Sequence, residues 1–396
     1  MKLFPNTVQG VVDAIDEIFS QNRYSDKVIE KTFKANPKWG ARDRAFVAES
    51  VYEMVRWWRL IREVSPSDDI YELFGTYWVL QGNQLPEWEE FSRIDSTEIK
   101  VRLHQIKERA MLQSIPDWLD TLGEQELGEK WDKEIDTLNQ TAQVVLRVNT
   151  IKITREALMN RLEQEGINTY APKGYKDALI LEKRQNIFKS PAFKEGLFEV
   201  QDASSQLVAA ALDVEPGMRV IDACAGAGGK SLHLAALMQN KGRILSMDLK
   251  AWKLQNTKLR ARRNGISIIE TKEIEGSKTI KRLKETADRL LLDVPCSGLG
   301  VLKRNPDTKW KLSLETIEQV KKIQEEILGS YHTMLKPGGI MVYATCSILP
   351  SENQDQVAKF LASEIGKNFE LLSEQRVLAQ ESGFDGFYIA KIKKIK

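Results

Sequence analysis

The chain has 396 residues, with 58 Lys and Arg against 56 Asp and Glu and a formal net charge of +2. Its length exceeds one typical core and predicts two or three domains, while the near-balance of charge excludes a uniformly basic nucleic-acid binder; an RNA footprint has to be local. Hydrophobic content of 42% and charged content of 29%, with no apolar run of spanning length, fit a globular protein and exclude a transmembrane one. The N-terminal segment lacks the apolar run of a signal peptide, and three cysteines without paired spacing predict a reducing cytoplasm and no disulfide framework. With histidines only at His104, His233 and His332 there is no CxxC or HxxxH spacing, so no metal site is expected.

Residues 1–138 read as helices. Val8, Val11, Val12, Ile15, Ile18 and Phe19 recur at helical spacing. Arg42–Arg59 reads as one long helix, with Trp57 and Trp58 in the core and the arginines on the surface. Residues 139–200 change pattern to a small α+β module. Gln143–Asn149 is a predicted strand, Thr154–Glu163 a helix capped by Thr154, and Ala178–Leu181 and Leu197–Val200 are further short strands.

From residue 201 to 396 strands and helices alternate. Arg219–Ala223, Arg243–Met247, Ser267–Lys272, Asp288–Leu292 and Ile340–Ala344 are the predicted strands, and helices separate most of them. This alternation predicts an α/β, doubly wound, mostly parallel sheet whose strand ends line one edge. Basic clusters lie at Lys253–Arg263, Lys278–Lys284 and Lys303–Lys311. The first two read as solvated helix faces. The third follows a Pro-Cys motif, so Lys303, Arg304 and Lys309 are the candidate RNA-binding residues.

All three cysteines stand at predicted strand ends, where open α/β sheets bind their ligands. Cys224, Ala225, Gly226, Ala227, Gly228, Gly229 and Lys230 form a glycine-rich loop between a strand and a helix. A Walker A loop would need glycine in place of Cys224. A dinucleotide fingerprint starting at Gly226 would need a small residue at Ser231, where serine passes. Asp248 closes the next strand and can accept hydrogen bonds from ribose hydroxyls. Loop and acid together fit S-adenosylmethionine, NAD and unrelated ligands alike.

Asp293-Val-Pro-Cys296 and Thr345-Cys-Ser347 narrow the choice. A thiolate is the strongest ordinary nucleophile at neutral pH, and a helix start at Pro350–Asn353 favours it. An inert buried thiol is the competing reading of either cysteine alone. It loses ground when both stand with Asp293 at adjacent strand ends.

The segments Asp222–Lys230, Asp293–Gly298, Asn305–Trp310 and Thr345–Ser347 resemble the motifs of the RsmB/NOP family of RNA (cytosine-5)-methyltransferases. Gln201–Gln206 and Asp385–Ala390 also resemble family signatures, and the N-terminal helices resemble the NusB-like RNA-binding domain of the bacterial rRNA members. The resemblance implies a Rossmann-like methyltransferase domain with S-adenosyl-L-methionine as cofactor. It implies Cys346 as the nucleophile toward cytosine C6, Cys296 in product release, and Asp293 as the hydrogen-bonding partner of the base. Cys224–Lys230, Asp248, Glu275 and Asp293 would hold the cofactor. Lys230 either pairs with Asp293 or is simply a helix-start lysine. Ala227 stands where the family usually has proline, and Glu275 where it usually has aspartate. The expected partner is RNA, 16S rRNA first, with neither membrane nor metal, and the chain acting as a monomer. The alternatives are a tRNA cytosine-5 methyltransferase, a non-catalytic ribosome-assembly factor and an NAD-dependent oxidoreductase.

Overall fold

A computed structural model describes residues 2–396. They form two compact units: the first runs to Gln140 and includes Leu302–Leu312, and the second comprises Thr141–Val301 and Ser313–Lys396.

The first unit is helical. Pro5, which needs no N–H partner at a helix start, opens the helix Pro5–Ser20. That helix buries Val8, Val11, Val12, Ile15 and Ile18, and Phe19 stacks on Trp58 at 4.0 Å. The helix expected over 42–59 is interrupted at Trp57, giving Ala41–Arg56 and Trp58–Val64. Arg56 is buried rather than on the surface, and its Nη2 donates to the Lys303 carbonyl at 3.0 Å.

The segment 302–312 is wired into this helical unit. Lys309 Nζ donates to the Arg56 carbonyl at 2.7 Å and to Asn139 Oδ1 at 3.1 Å. Trp310 Nε1 donates to the Val55 carbonyl at 2.7 Å, and Asp307 accepts the Ser25 N–H at 2.9 Å. Lys303 and Lys309 are only 5% and 1% exposed. The segment therefore corrects two expectations. It belongs to the helical unit rather than to the methyltransferase stretch of the sequence, and two of its three candidate RNA-binding residues are buried. Burial holds the Lys309 ammonium well below its usual pKa, with Arg56 adding to the effect.

The second unit holds two sheets. A four-stranded antiparallel sheet contains β1 (Val145–Val148), β2 (Thr169–Tyr170), β3 (Ala178–Leu181) and β4 (Phe198–Val200) in the order β2-β3-β1-β4. Thr154 caps the helix Arg155–Gln164 through the Ala157 N–H at 3.2 Å. The seven-stranded sheet contains β5 (Arg219–Asp222), β6 (Arg243–Asp248), β7 (Ile269–Glu273), β8 (Ala287–Asp293), β9 (Leu335–Thr345), β10 (Phe369–Val377) and β11 (Phe387–Lys394). Its order is β10-β11-β9-β8-β5-β6-β7, with the five strands β5–β9 mutually parallel and β10 and β11 antiparallel.

Both faces of this sheet are covered, which explains its apolar runs. Ile221, Leu290, Leu292, Met341 and Tyr343 enter one core, while Val220, Leu291, Val342 and Ala344 enter the other. The register pairs Asp222 with Ser246, Asp248 with Glu273, and Asp293 with Ala344. Three aspartates thus finish neighbouring strands on one edge.

Part of the first basic cluster also has a structural role. Buried Glu199 of β4 accepts from Arg260 Nη2 at 2.9 Å, from Asn264 Nδ2 at 2.5 Å and from Arg263. These residues lie on the helix Ala251–Asn264, so its charged side holds the α+β module rather than facing solvent throughout.

Candidate active site

The loop after β5 is shaped by two glycines in the left-handed region. Gly226 has φ +55°, and a Cβ built there would meet nothing within 4 Å, so the backbone faces open space that a ligand can approach. Gly228 has φ +79°, and a Cβ there would fall 2.5 Å from the Thr257 methyl group. Glycine is required at Gly228 so that the loop can lie against the helix Ala251–Asn264.

Ala227 removes the rigidity that proline would give, but the loop is pinned by side chains. Arg260 Nη1 donates to the Ala227 carbonyl at 2.8 Å, and Arg147 Nη1 to the Gly229 carbonyl at 2.6 Å. Asp248 accepts the Gly226 N–H at 3.0 Å and the Lys250 N–H at 2.9 Å. A carboxylate has about four acceptor positions, so Asp248 keeps capacity for ribose hydroxyls. Glu275 lies exposed, two residues past the end of β7.

Beneath the loop, Ser231 Oγ donates to Asp222 Oδ2 at 2.6 Å and Ser246 Oγ to Ser231 Oγ at 2.7 Å. Asp222 is fully buried and its Oδ1 lacks a partner. Burial pushes its carboxyl up to about 7, against the pull of the Ser231 hydrogen bond. Cys224 is not primed as a nucleophile. Burial first, then the nearby carboxylates of Asp222, Asp293 and Asp248, hold its thiol well above its usual pKa.

β8 and β9 bring the other two cysteines together. Cys296 Sγ and Cys346 Sγ are 3.4 Å apart. The hydrogen bond with Cys346, then burial, raises the Cys296 pKa well above its usual value. Lys230 Nζ donates to Asp293 Oδ2 at 2.6 Å, which settles the two readings of that lysine in favour of the ion pair. Burial alone would lower the Lys230 pKa, but the Asp293 carboxylate outweighs it and raises it.

Two sequence segments far from the cysteines close around them. Gly300 N–H donates to the Cys346 carbonyl at 2.9 Å, and Gly386 N–H to the Gly300 carbonyl at 2.7 Å. A Cβ on Gly300 would fall 2.3 Å from the Gly386 oxygen, so the Asp385–Gly386 turn lies directly on the Pro-Cys loop. Asp202 ties in the Gln201–Gln206 segment by accepting the Asp385 N–H at 3.3 Å. Sequence reasoning missed Glu352, which is completely buried between the two cysteine loops. Its only signal was an acid in the helix start that follows Cys346.

Comparison with known proteins agrees with this geometry. The family model described as 16S rRNA methyltransferase RsmB/F matches residues 209–393, and the RsmF/B-like ferredoxin-like domain matches residues 115–188. A probable ribosomal RNA small subunit methyltransferase B of Synechocystis is 37% identical over 300 residues, covering 71% of this chain and 67% of the relative. The chain belongs to the RsmB/F family. The corresponding enzyme of Proteus mirabilis is 36% identical, with 70% of this chain and 65% of the relative covered, so the match spans about two thirds of these relatives' length. A solved methyltransferase homolog protein from Pyrococcus horikoshii has 28% identity and a TM-score of 0.64, over 72% of this chain and 97% of its own. The seven-stranded domain is thus a Rossmann-like methyltransferase domain of the S-adenosylmethionine-dependent kind.

Proposed function

We propose that the protein methylates carbon 5 of a cytosine in RNA, with 16S rRNA as the substrate. The observation that carries this reading is the pair of sulfurs 3.4 Å apart at the ends of β8 and β9, beside the Lys230–Asp293 ion pair. A binding protein or an NAD-dependent oxidoreductase has no use for two adjacent thiols there.

Carbon 5 of cytosine is a poor nucleophile, and the residues present answer that difficulty. Cys346 adds through sulfur to C6, placing electron density on C5. Cys296 lies within hydrogen-bond reach of the Cys346 sulfur, so both thiols face the same reacting carbon atoms. Asp293 hydrogen-bonds the base at N3 and the exocyclic amine, and Lys230 fixes that carboxylate in place. Cys224–Lys230 and Asp248 would hold S-adenosylmethionine, which would supply the electrophilic methyl group. The C5 proton then leaves to water, its bonding pair re-forms the C5–C6 double bond, and the C6–S bond breaks and returns its electron pair to Cys346, with Cys296 assisting this release. The target base must be unpaired or flipped out to reach these groups.

Bisulfite sequencing of rRNA and tRNA from a deletion strain tests the reading. Loss of one 5-methylcytosine in 16S rRNA, restored by the wild-type gene, is the expected result. Loss in tRNA instead would transfer the substrate to tRNA, and no loss in either would remove the cytosine-5 assignment.

A further inference from the structure

Glu352 touches both cysteine loops at once. Its Oε2 accepts the backbone N–H of Ser297, the residue after Cys296, at 2.8 Å. Its Oε1 accepts the hydroxyl of Ser347, the residue after Cys346, at 2.6 Å. Gln324 Nε2 completes the set, donating to Glu352 Oε2 at 3.0 Å and to the Pro295 carbonyl at 2.9 Å. Ser297 Oγ donates to Ser347 Oγ at 3.2 Å, so the two loops are also joined directly.

The carboxylate is itself rigidly held. Tyr343 OH donates to the Glu352 carbonyl at 2.7 Å. Neighbouring Asn353 accepts from Thr345 Oγ1 at 2.5 Å and donates to the Ser347 carbonyl at 3.0 Å. Glu352, Ser347, Thr345, Tyr343 and Asn353 have no more than about 2% exposure. A buried carboxylate is costly unless its lone pairs are satisfied, and here three donors from three chain segments satisfy it.

We infer that Glu352 is the positioning residue that sets the spacing of Cys296 and Cys346, holding the two thiols as a working pair. The inference rests on the two-cysteine reading above. One oxygen fixes each loop, so the carboxylate converts two strand ends into one unit with a defined sulfur–sulfur distance. Turnover needs that distance twice: Cys296 supports the attacking sulfur at the start and acts on the adduct at the end. Misplacement by about 1 Å at such a site costs up to about a hundredfold in rate.

The test is Glu352→Gln. The amide keeps the size of the side chain but can accept on one side only, so one cysteine loop loses its anchor. The expected result is a kcat lower by about tenfold or more, with KM for RNA and affinity for S-adenosylmethionine within about twofold of wild type. The covalent protein–RNA species should persist longer, and Glu352→Asp, which keeps both acceptor oxygens, should recover part of the rate. Wild-type kcat in Glu352→Gln would overturn the inference. A rate loss matched by equal losses of cofactor affinity and melting temperature would overturn it too, reducing Glu352 to a structural role. Should the Gln variant fail to fold, Ser347→Ala removes only the hydroxyl between the carboxylate and the Cys346 loop and carries the same expectation. Cys346→Ala in the same assay separates the two claims. If it still methylates, the two-cysteine reading fails; if it is inactive while Glu352→Gln is wild type, only the positioning role fails.

Discussion

Lys230 Nζ and Asp293 Oδ2 lie 2.6 Å apart, joining the first turn of the helix after the glycine loop to the end of β8. The glycine loop and the acid proposed to face the base therefore share one ion pair. Both side chains are largely shielded, at 13% and 25% exposure, so the contact outweighs an ordinary surface pair. Lys230→Met should lower kcat by about a hundredfold, in line with losing one preorganised electrostatic contact. Single-turnover methylation at saturating cofactor checks this, and an unchanged rate would remove Asp293 positioning from the mechanism.

Asp248 gives a prediction confined to binding. Asp248→Ala removes the proposed ribose acceptor and one anchor of Gly226, so S-adenosylmethionine should bind more weakly by about 1.5–3 kcal/mol. Calorimetry reads this directly. Equal affinity would place the ribose elsewhere.

Lys309 gives the opposite kind of prediction. Lys309→Ala leaves the Arg56 carbonyl and Asn139 Oδ1 without their buried donor, which should cost about 1–3 kcal/mol in stability. Because the ammonium is buried, the salt dependence of RNA binding should not change. A flatter salt slope in the mutant would restore Lys309 as a phosphate contact.

His233 governs part of the acid limb of stability. Its Nε2 lies 3.1 Å from Asp177 Oδ2, and burial lowers its pKa from 6.5 to about 4, despite the pull of that carboxylate. The unfolded chain takes up a proton near pH 6.5 that the folded chain refuses until about pH 4. Stability is therefore fully present above pH 6.5 and falls as pH drops toward 4, by about 3 kcal/mol at most from this group. Melting curves of His233→Gln should show a smaller drop than wild type across that window. Parallel curves would assign the acid limb to other groups.

The parallel core was legible because β5, β8 and β9 are buried on both faces, and double burial writes itself as apolar runs such as Leu290–Leu292 and Ile340–Ala344. β10 was not legible. It is an edge strand whose residues Glu370–Arg376 are all exposed, so neither alternation nor an apolar run marks it. The cysteines and glycines could be placed by their strand-end positions. Lys303, Lys309 and Arg56 could not, because a buried cation is recognisable only once the fold supplies its acceptors. Glu352 was hidden for the same reason: its donors come from Ser297, Gln324 and Ser347, brought together only by the fold.

The central claim is that Cys346 bonds to the base while Cys296 acts afterwards. It is tested by denaturing electrophoresis of each alanine variant incubated with RNA and S-adenosylmethionine. Cys346→Ala should neither methylate nor form a covalent species, whereas Cys296→Ala should methylate once and stall as a protein–RNA adduct seen as a shifted band. A stable adduct from Cys346→Ala, with none from Cys296→Ala, would contradict the account and make Cys296 the nucleophile.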